Sequence, residues 1–162
     1  AMSLDGISVL NDLAGGVTVT LEDDFSAADP AMTKGATLTL QGNQAEIFVR
    51  RRMDIGEGTN EARMVRQEEY LAQLSAQLES RVQQDQQFTA QVYDALQPYL
   101  VTDLAKGQLV NEVWAAKDDT VEPAIALEGE HKVAEDGFTE FYPTEASIQK
   151  AVLTLFWEPV EE

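Results

Sequence analysis

The chain has 162 residues, 44% of them hydrophobic, and carries 29 acidic side chains against 11 lysines and arginines, for a net charge of −18. That length and apolar content suit one folded domain with a sizeable core, and exclude a disordered chain because apolar residues recur throughout. The acidity excludes general nucleic-acid binding and attraction to anionic membranes, and the lack of cysteine excludes disulfides, thiolate catalysis and cysteine-ligated zinc.

Leu4 to Leu13 has helical spacing at Ile7, Leu10 and Leu13, and allows a short strand ahead of it. Ala14-Gly15-Gly16 suits a helix C-cap. Val17 to Leu21 alternates and is β-branched, which predicts a strand. A loop through Pro30 leads to a second alternating run, Thr37 to Leu40. Asn43 to Arg52 reads as a helix with Ala45, Ile47 and Phe48. A flexible loop follows, Asp54 to Gly58, and then Thr59 or Asn60 caps a long helix. Its predicted apolar stripe is Met64, Leu71, Leu74, Leu78 and Val82. Gln83, Gln84, Gln86 and Gln87 read as solvated surface near its end. Phe88 to Leu96 continues helically until Pro98 stops it, and a further helix is expected from about Thr102 to Ala116. In the tail, Pro123 to Leu127 and Phe138 to Tyr142 read as strands, and Pro143-Thr144-Glu145 opens a last helix, Ala146 to Phe156. Strands interleaved with helices predict an α/β fold, helices packed on a small mixed β-sheet of at most four strands. Such a short sheet leaves edges and faces for something else to cover.

Five of the six arginines fall between positions 50 and 66, where with Asp54, Glu57 and Glu61 they sum to +2 in a chain that is otherwise −20. Arginine suits planar, bidentate capture of phosphate or carboxylate. Arg63, Arg66 and Gln67 lie at i, i+3 and i+4, on one face of the first turns of the long helix. Cations there oppose the helix dipole, which makes sense if they and the helix N–H groups face an anion. Arg50 and Arg52 share a face only where the backbone is extended or the helix is ending. The loop folds the two segments toward each other, so four guanidiniums can converge. The competing reading pairs Arg50, Arg51 and Arg52 with Asp54, Glu57, Glu61 or the acidic surface at large.

Other candidates are weaker. Glu22-Asp23-Asp24 reads as solvated carboxylates rather than a metal site, and His131 as a surface histidine without a base or nucleophile partner. Gly56-Glu57-Gly58 is too short and acidic for a phosphate loop, and no Walker loop, nucleophile elbow or dinucleotide fingerprint occurs. Trp114, Trp157 and the phenylalanines read as core or dimer contacts.

The ordered pieces Leu13-Ala14-Gly15-Gly16-Val17-Thr18-Val19, Lys34-Gly35, Leu40-Gln41-Gly42-Asn43-Gln44-Ala45, Val49-Arg50-Arg51-Arg52 and Arg63-Met64-Val65-Arg66-Gln67 resemble the LytR–CpsA–Psr family. These are Gram-positive cell-envelope proteins long labelled transcriptional attenuators. The resemblance implies a phosphotransferase that moves a glycopolymer from a polyprenyl-pyrophosphate carrier onto peptidoglycan, with Mg2+ at the pyrophosphate. It assigns pyrophosphate binding to Arg50, Arg52, Arg63 and Gln67. Arg66 is then supporting and more structural, Arg51 is the variable middle residue, and Asn60 stands where the family often has aspartate. No catalytic residue and no metal ligand is assigned to this chain.

The resemblance is best over 4–100, is loose over 101–162, and covers only the C-terminal half of the family's domain. The expectation is therefore a single truncated α/β/α domain, 1–162, lacking the metal-binding half and inactive or nearly so alone. A non-catalytic homodimer completed by strand pairing or element exchange is the alternative, and a transcriptional regulator the least favoured. The family is membrane-anchored and extracellular, whereas no apolar run here reaches membrane-span length. Ala1-Met2-Ser3 begins no signal peptide, with Ala1 reading as an expression remnant. As it stands, the sequence has no route out of the cytoplasm.

Overall fold

The structure is a computed structural model that describes residues 1–56, 58–119, 124–135 and 137–157. The chain divides into two units, Ala1–Asp119 and Thr120–Glu162. In the first, helix α1 (Gly6–Ala14) is followed by strands β1 (Thr18–Thr20) and β2 (Thr37–Thr39), and then by helices α2 (Asn43–Arg50), α3 (Asn60–Gln84), α4 (Gln86–Leu96) and α5 (Lys106–Ala115). The second unit holds strands β3 (Gly129–Val133) and β4 (Thr139–Pro143) and helix α6 (Glu145–Phe156). The α/β class stands. Among the described residues its strands form two antiparallel pairs, β1–β2 and β3–β4, in place of one mixed sheet.

Local chemistry sets the boundaries in the first unit. Gly15 adopts φ 104° and donates its N–H to the Asp12 carbonyl, while Gly16 N–H reaches the Asn11 carbonyl, closing α1. Gly16 (φ +84°) has no room for a side chain, since a Cβ would lie 2.7 Å from the Leu40 carbonyl oxygen. The turn thus delivers Val17 directly into β1, beside the end of β2. The short strand ahead of α1 proves to be an isolated bridge between Met2 and Leu100.

The core is built from Val19 of β1 and its flanking alternate residues Val17 and Leu21, with Phe25, Met32, Leu40 and the inner faces of α2 and α3. On α2, Ala45, Phe48 and Val49 are buried at i, i+3 and i+4. On α3 the inward residues are Tyr70 and Leu74, with Leu78 packed against them. The predicted stripe is therefore corrected at its start, because Met64 and Leu71 are half exposed. Tyr70 takes the inner position because its hydroxyl has a partner there. It donates to Oδ1 of the wholly buried Asn11 at 3.2 Å. Asn11 also donates to the Leu40 carbonyl at 2.8 Å and accepts from Val17 N–H at 3.1 Å, so one amide ties α1, β1, the end of β2 and α3. Burial and, less, the nearby Asp12 charge push the Tyr70 phenol up to about 12.

Thr59 caps α3, its Oγ1 accepting from Ala62 N–H at 3.1 Å. The run from α3 into α4 is interrupted at Asp85, whose carboxylate accepts from Gln87 N–H and starts a new helix. Pro98 lies in the short 3-10 turn that ends α4, and α5 is shorter than expected at its N-terminal side.

In the second unit, the predicted strand at 123–127 is corrected. Ala124 to Leu127 has no regular structure, Pro123 lies outside the described residues, and the strand is Gly129–Val133. The hairpin turn decides this. Ala134 N–H bonds to the Phe138 carbonyl, and register counted back from there pairs Val133 with Thr139 and Gly129 with Pro143. Thr144 caps α6, accepting from Ser147 N–H. Ala151 is the buried residue of that helix. No helix of the described residues is long and apolar enough to cross a membrane.

Candidate functional site

The arginine cluster is positioned by a helix end that another helix finishes. The last carbonyls of α2 have no intrahelical partner. Arg66 of α3 donates from Nε to the Phe48 carbonyl at 3.2 Å and from Nη2 to the Arg51 carbonyl at 2.6 Å. Gln67 donates from Nε2 to the Val49 carbonyl at 2.9 Å. Two adjacent α3 residues thus staple the end of α2 and hold the following strap, Arg51 to Ile55, against α3. Ile55 is buried at the far end of the strap. Gly56 sits against Asp23, where any Cβ would collide with the carboxylate.

Arg66 also meets Asp23 at 3.5 Å and lies over the Phe25 ring, 5.4 Å from its centroid. Burial pulls its pKa below the ordinary arginine value; the charge of Asp23 opposes that pull and the charge of Arg63 adds to it. Neither Arg66 nor Gln67 lines the cleft formed by the other arginines. Of the three α3 residues expected to face an anion together, Arg63 lines the cleft, while Arg66 and Gln67 bond to the end of α2.

That cleft, about 470 Å3, is lined by Arg50, Arg51, Arg52 and Arg63, with Ile47 and Met53 as its apolar wall. Four arginines line it, and the fourth is Arg51 rather than Arg66. Arg51 was set aside as the variable middle residue. The helix ends at Arg50, and Arg51 (φ −67°, ψ 135°) begins an extended segment, so three consecutive side chains fan around one opening. The signal for this was the predicted end of α2, which fell at Arg52 instead.

The four differ in how they are held. Arg50 is exposed and pairs with Glu46 at 2.6 Å, one turn back on α2. Arg52 Nη1 and Arg63 Nη2 both donate to Asn60 Oδ1, at 3.0 and 3.2 Å. Arg63 Nε is buried with no hydrogen-bond partner among the described residues. Like charges this close repel by roughly 1 kcal/mol per pair at the surface, and an anion between them removes that cost. The Glu57 of the competing pairing lies outside the described residues.

The remaining candidates have ordinary surroundings. Asp24 accepts from Ser26 N–H, which holds its carboxyl below the usual range. Among the described residues no group of three or more His, Asp or Glu side chains is placed to hold a metal ion. No chemical step is routed through the Mg2+ that the resemblance implies. His131 is exposed on β3, its ring 5.0 Å from that of Phe141. Phe25, Phe48 and Phe88 are core, whereas Phe156 and Trp157 are exposed.

The first unit is thus a small α/β unit with an arginine-lined cleft in an acidic chain. The LytR_cpsA_psr family model matches residues 1–155, and the chain belongs to that family. Its fold is similar to that of gbs0355 from Streptococcus agalactiae (TM-score 0.71, 19% identity, 94% of this chain and 55% of that one). It is similar also to the transcriptional regulator EF0465 from Enterococcus faecalis (TM-score 0.70, 19% identity, 95% and 56%) and to TagV from Bacillus subtilis (TM-score 0.63, 16% identity, 98% and 63%). The chain thus spans 55 to 63% of the length of these structures. No curated protein matches it in sequence.

Proposed function

We propose that this chain carries the arginine side of a polyprenyl-pyrophosphate site of the kind used to attach cell-wall glycopolymers. The observation that carries the reading is the convergence of Arg50, Arg51, Arg52 and Arg63 on one cleft in a chain of net charge −18. Phosphoryl transfer from a carrier pyrophosphate onto a peptidoglycan acceptor needs charge neutralised on the phosphate oxygens, and placed guanidiniums supply that without any covalent step. Arg52 and Arg63 are the principal ligands, Arg50 and Arg51 flank them, and Arg66 and Gln67 hold the strap. By itself the chain is expected to bind the diphosphate and to transfer poorly.

The test is binding of a soluble isoprenoid pyrophosphate to the native chain and to Arg52→Ala and Arg63→Ala. Each substitution should weaken binding about tenfold, the loss of one charge-assisted contact. Equal, weak binding by all three proteins would remove the assignment.

A second reading, a non-catalytic homodimer of the cell envelope, draws on the end of α6, where Leu153, Leu155 and Phe156, with Trp157 just after them, are exposed. Sedimentation separates the two, since a monomer at high dilution ends the dimer reading. A regulator is disfavoured by the net charge, and an absence of any gel shift at low salt would dispose of it.

A further inference from the structure

Arg52 and Arg63 come from separate segments, the strap and α3, yet both donate to one atom, Oδ1 of Asn60. A guanidinium has donors only, so the Asn60 atom facing both must be its carbonyl oxygen. The amide orientation is therefore fixed by chemistry. Asn60 is also the first residue of α3, directly after the Thr59 cap, so its backbone position is set by the helix start. An oxygen on a short side chain, held at a fixed helix end, determines where two guanidiniums point.

A carboxylate at this place would accept the same hydrogen bonds and bind both groups more tightly. It would also cancel one of the two positive charges. The amide orients without cancelling. Arg63 Nε is buried with no hydrogen-bond partner among the described residues, and the neutral amide leaves the charge of the pair for an incoming anion.

We propose that Asn60 is a positioning and specificity-determining residue. It is a neutral clasp that aligns Arg52 and Arg63 without itself cancelling either charge, which favours a diphosphate over a monophosphate. The inference rests on reading the cleft as a diphosphate site. A diphosphate can engage both guanidiniums at once and carries more charge than a monophosphate. Its affinity therefore depends more steeply on the charge of the pair.

The discriminating variant is Asn60→Asp. An acidic residue at the first position of a helix is favourable with the dipole, and it would form ion pairs with both arginines. The protein should melt at an equal or higher temperature than the native chain. Its affinity for inorganic pyrophosphate, measured by titration calorimetry, should nonetheless fall about tenfold, with a smaller loss for orthophosphate. The salt dependence of pyrophosphate binding should flatten. Asn60→Ala keeps the charges and loses the alignment, so its affinity should fall less and its salt dependence should persist. An isoprenoid pyrophosphate, run in parallel, separates recognition of the diphosphate from recognition of a lipid-linked one.

Native pyrophosphate affinity in Asn60→Asp, alongside weakened Arg63→Ala, would overturn the clasp and leave the site standing. Equal losses in Asn60→Asp and Asn60→Ala would overturn the claim that neutrality matters. Unchanged binding in Arg52→Ala and Arg63→Ala as well would overturn the site itself.

Discussion

Arg66 gives its guanidinium to three oxygens, those of Phe48, Arg51 and Asp23. Among the described residues, Arg63, one turn earlier on the same helix, gives its own to a single amide oxygen and leaves Nε without an acceptor. Sequence spacing makes the two equivalent, since i and i+3 share a helix face. What separates them is the supply of oxygen. Arg66 stands opposite the unfinished end of α2, where carbonyls are in surplus. Arg63 stands beyond that end, opposite other arginines. A cation with its needs met holds the fold, while one left short of acceptors is available to a ligand.

The largest test of this contrast is Arg66→Ala. It strands the Phe48 and Arg51 carbonyls and leaves Asp23 without its cation in a half-buried setting. A loss of about 3 kcal/mol is expected, readable as a lower midpoint in urea. Arg63→Ala removes a charge that its neighbours repel, so its midpoint should stay within about 0.5 kcal/mol of native. A protein in which the two substitutions cost the same would break the comparison.

The structural side of α3 continues one turn on to Tyr70, which supplies a test in pH. Its phenol is pushed from 10.0 up to about 12 in the folded state, so between those values the folded chain holds a proton that the unfolded chain has released. Stability from this group is complete below pH 10, and is lost as pH rises through the window toward 12. Urea midpoints measured across that range should fall more steeply for the native chain than for Tyr70→Phe. At neutral pH the same substitution should cost about 1 kcal/mol, for the hydrogen bond to Asn11. Parallel pH profiles for the two proteins would show that Tyr70 is not buried as described.

Much of the fold was legible where one residue decides an outcome locally. Gly15 and Gly16 ended α1, Thr59 capped α3, and Pro98 closed α4. The errors came where the deciding partner is distant in sequence. The α3 stripe was placed on Met64 and Leu71 because aliphatic spacing favoured them. Tyr70 wins because Asn11, 59 positions away, offers a buried acceptor. The first strand of the tail is expected at Pro123 to Leu127 and lies instead at Gly129–Val133, because alternation alone does not know where the turn is. In the site, clustering of arginine and its conflict with the helix dipole were visible, and so was a structural bent for Arg66. The binding of Gln67 to Val49 and the entry of Arg51 into the cleft were not. Both depend on α2 ending at Arg50 and not Arg52, a shift of two residues that decides which carbonyls are unfinished.

Gln67 and Glu46 give smaller effects on either side of the same contrast. Gln67→Ala should cost about 1 kcal/mol, for one hydrogen bond to the α2 terminus, with pyrophosphate affinity weakened only as far as the strap loosens. Glu46 acts at the ligand side. Its carboxylate holds Arg50 at 2.6 Å on the exposed face of α2, which makes Arg50 intermediate between the fully engaged Arg66 and the under-supplied Arg63. An exposed pair at i, i+4 contributes roughly 0.3–0.5 kcal/mol, so Glu46→Gln should barely move the urea midpoint. It also removes a negative charge from the rim of the cleft and frees the Arg50 guanidinium. Pyrophosphate should then bind about two- to threefold more tightly at low salt, with the gain fading as screening grows. An unchanged affinity at low salt would place Arg50 outside the binding surface and reduce the working set to Arg51, Arg52 and Arg63.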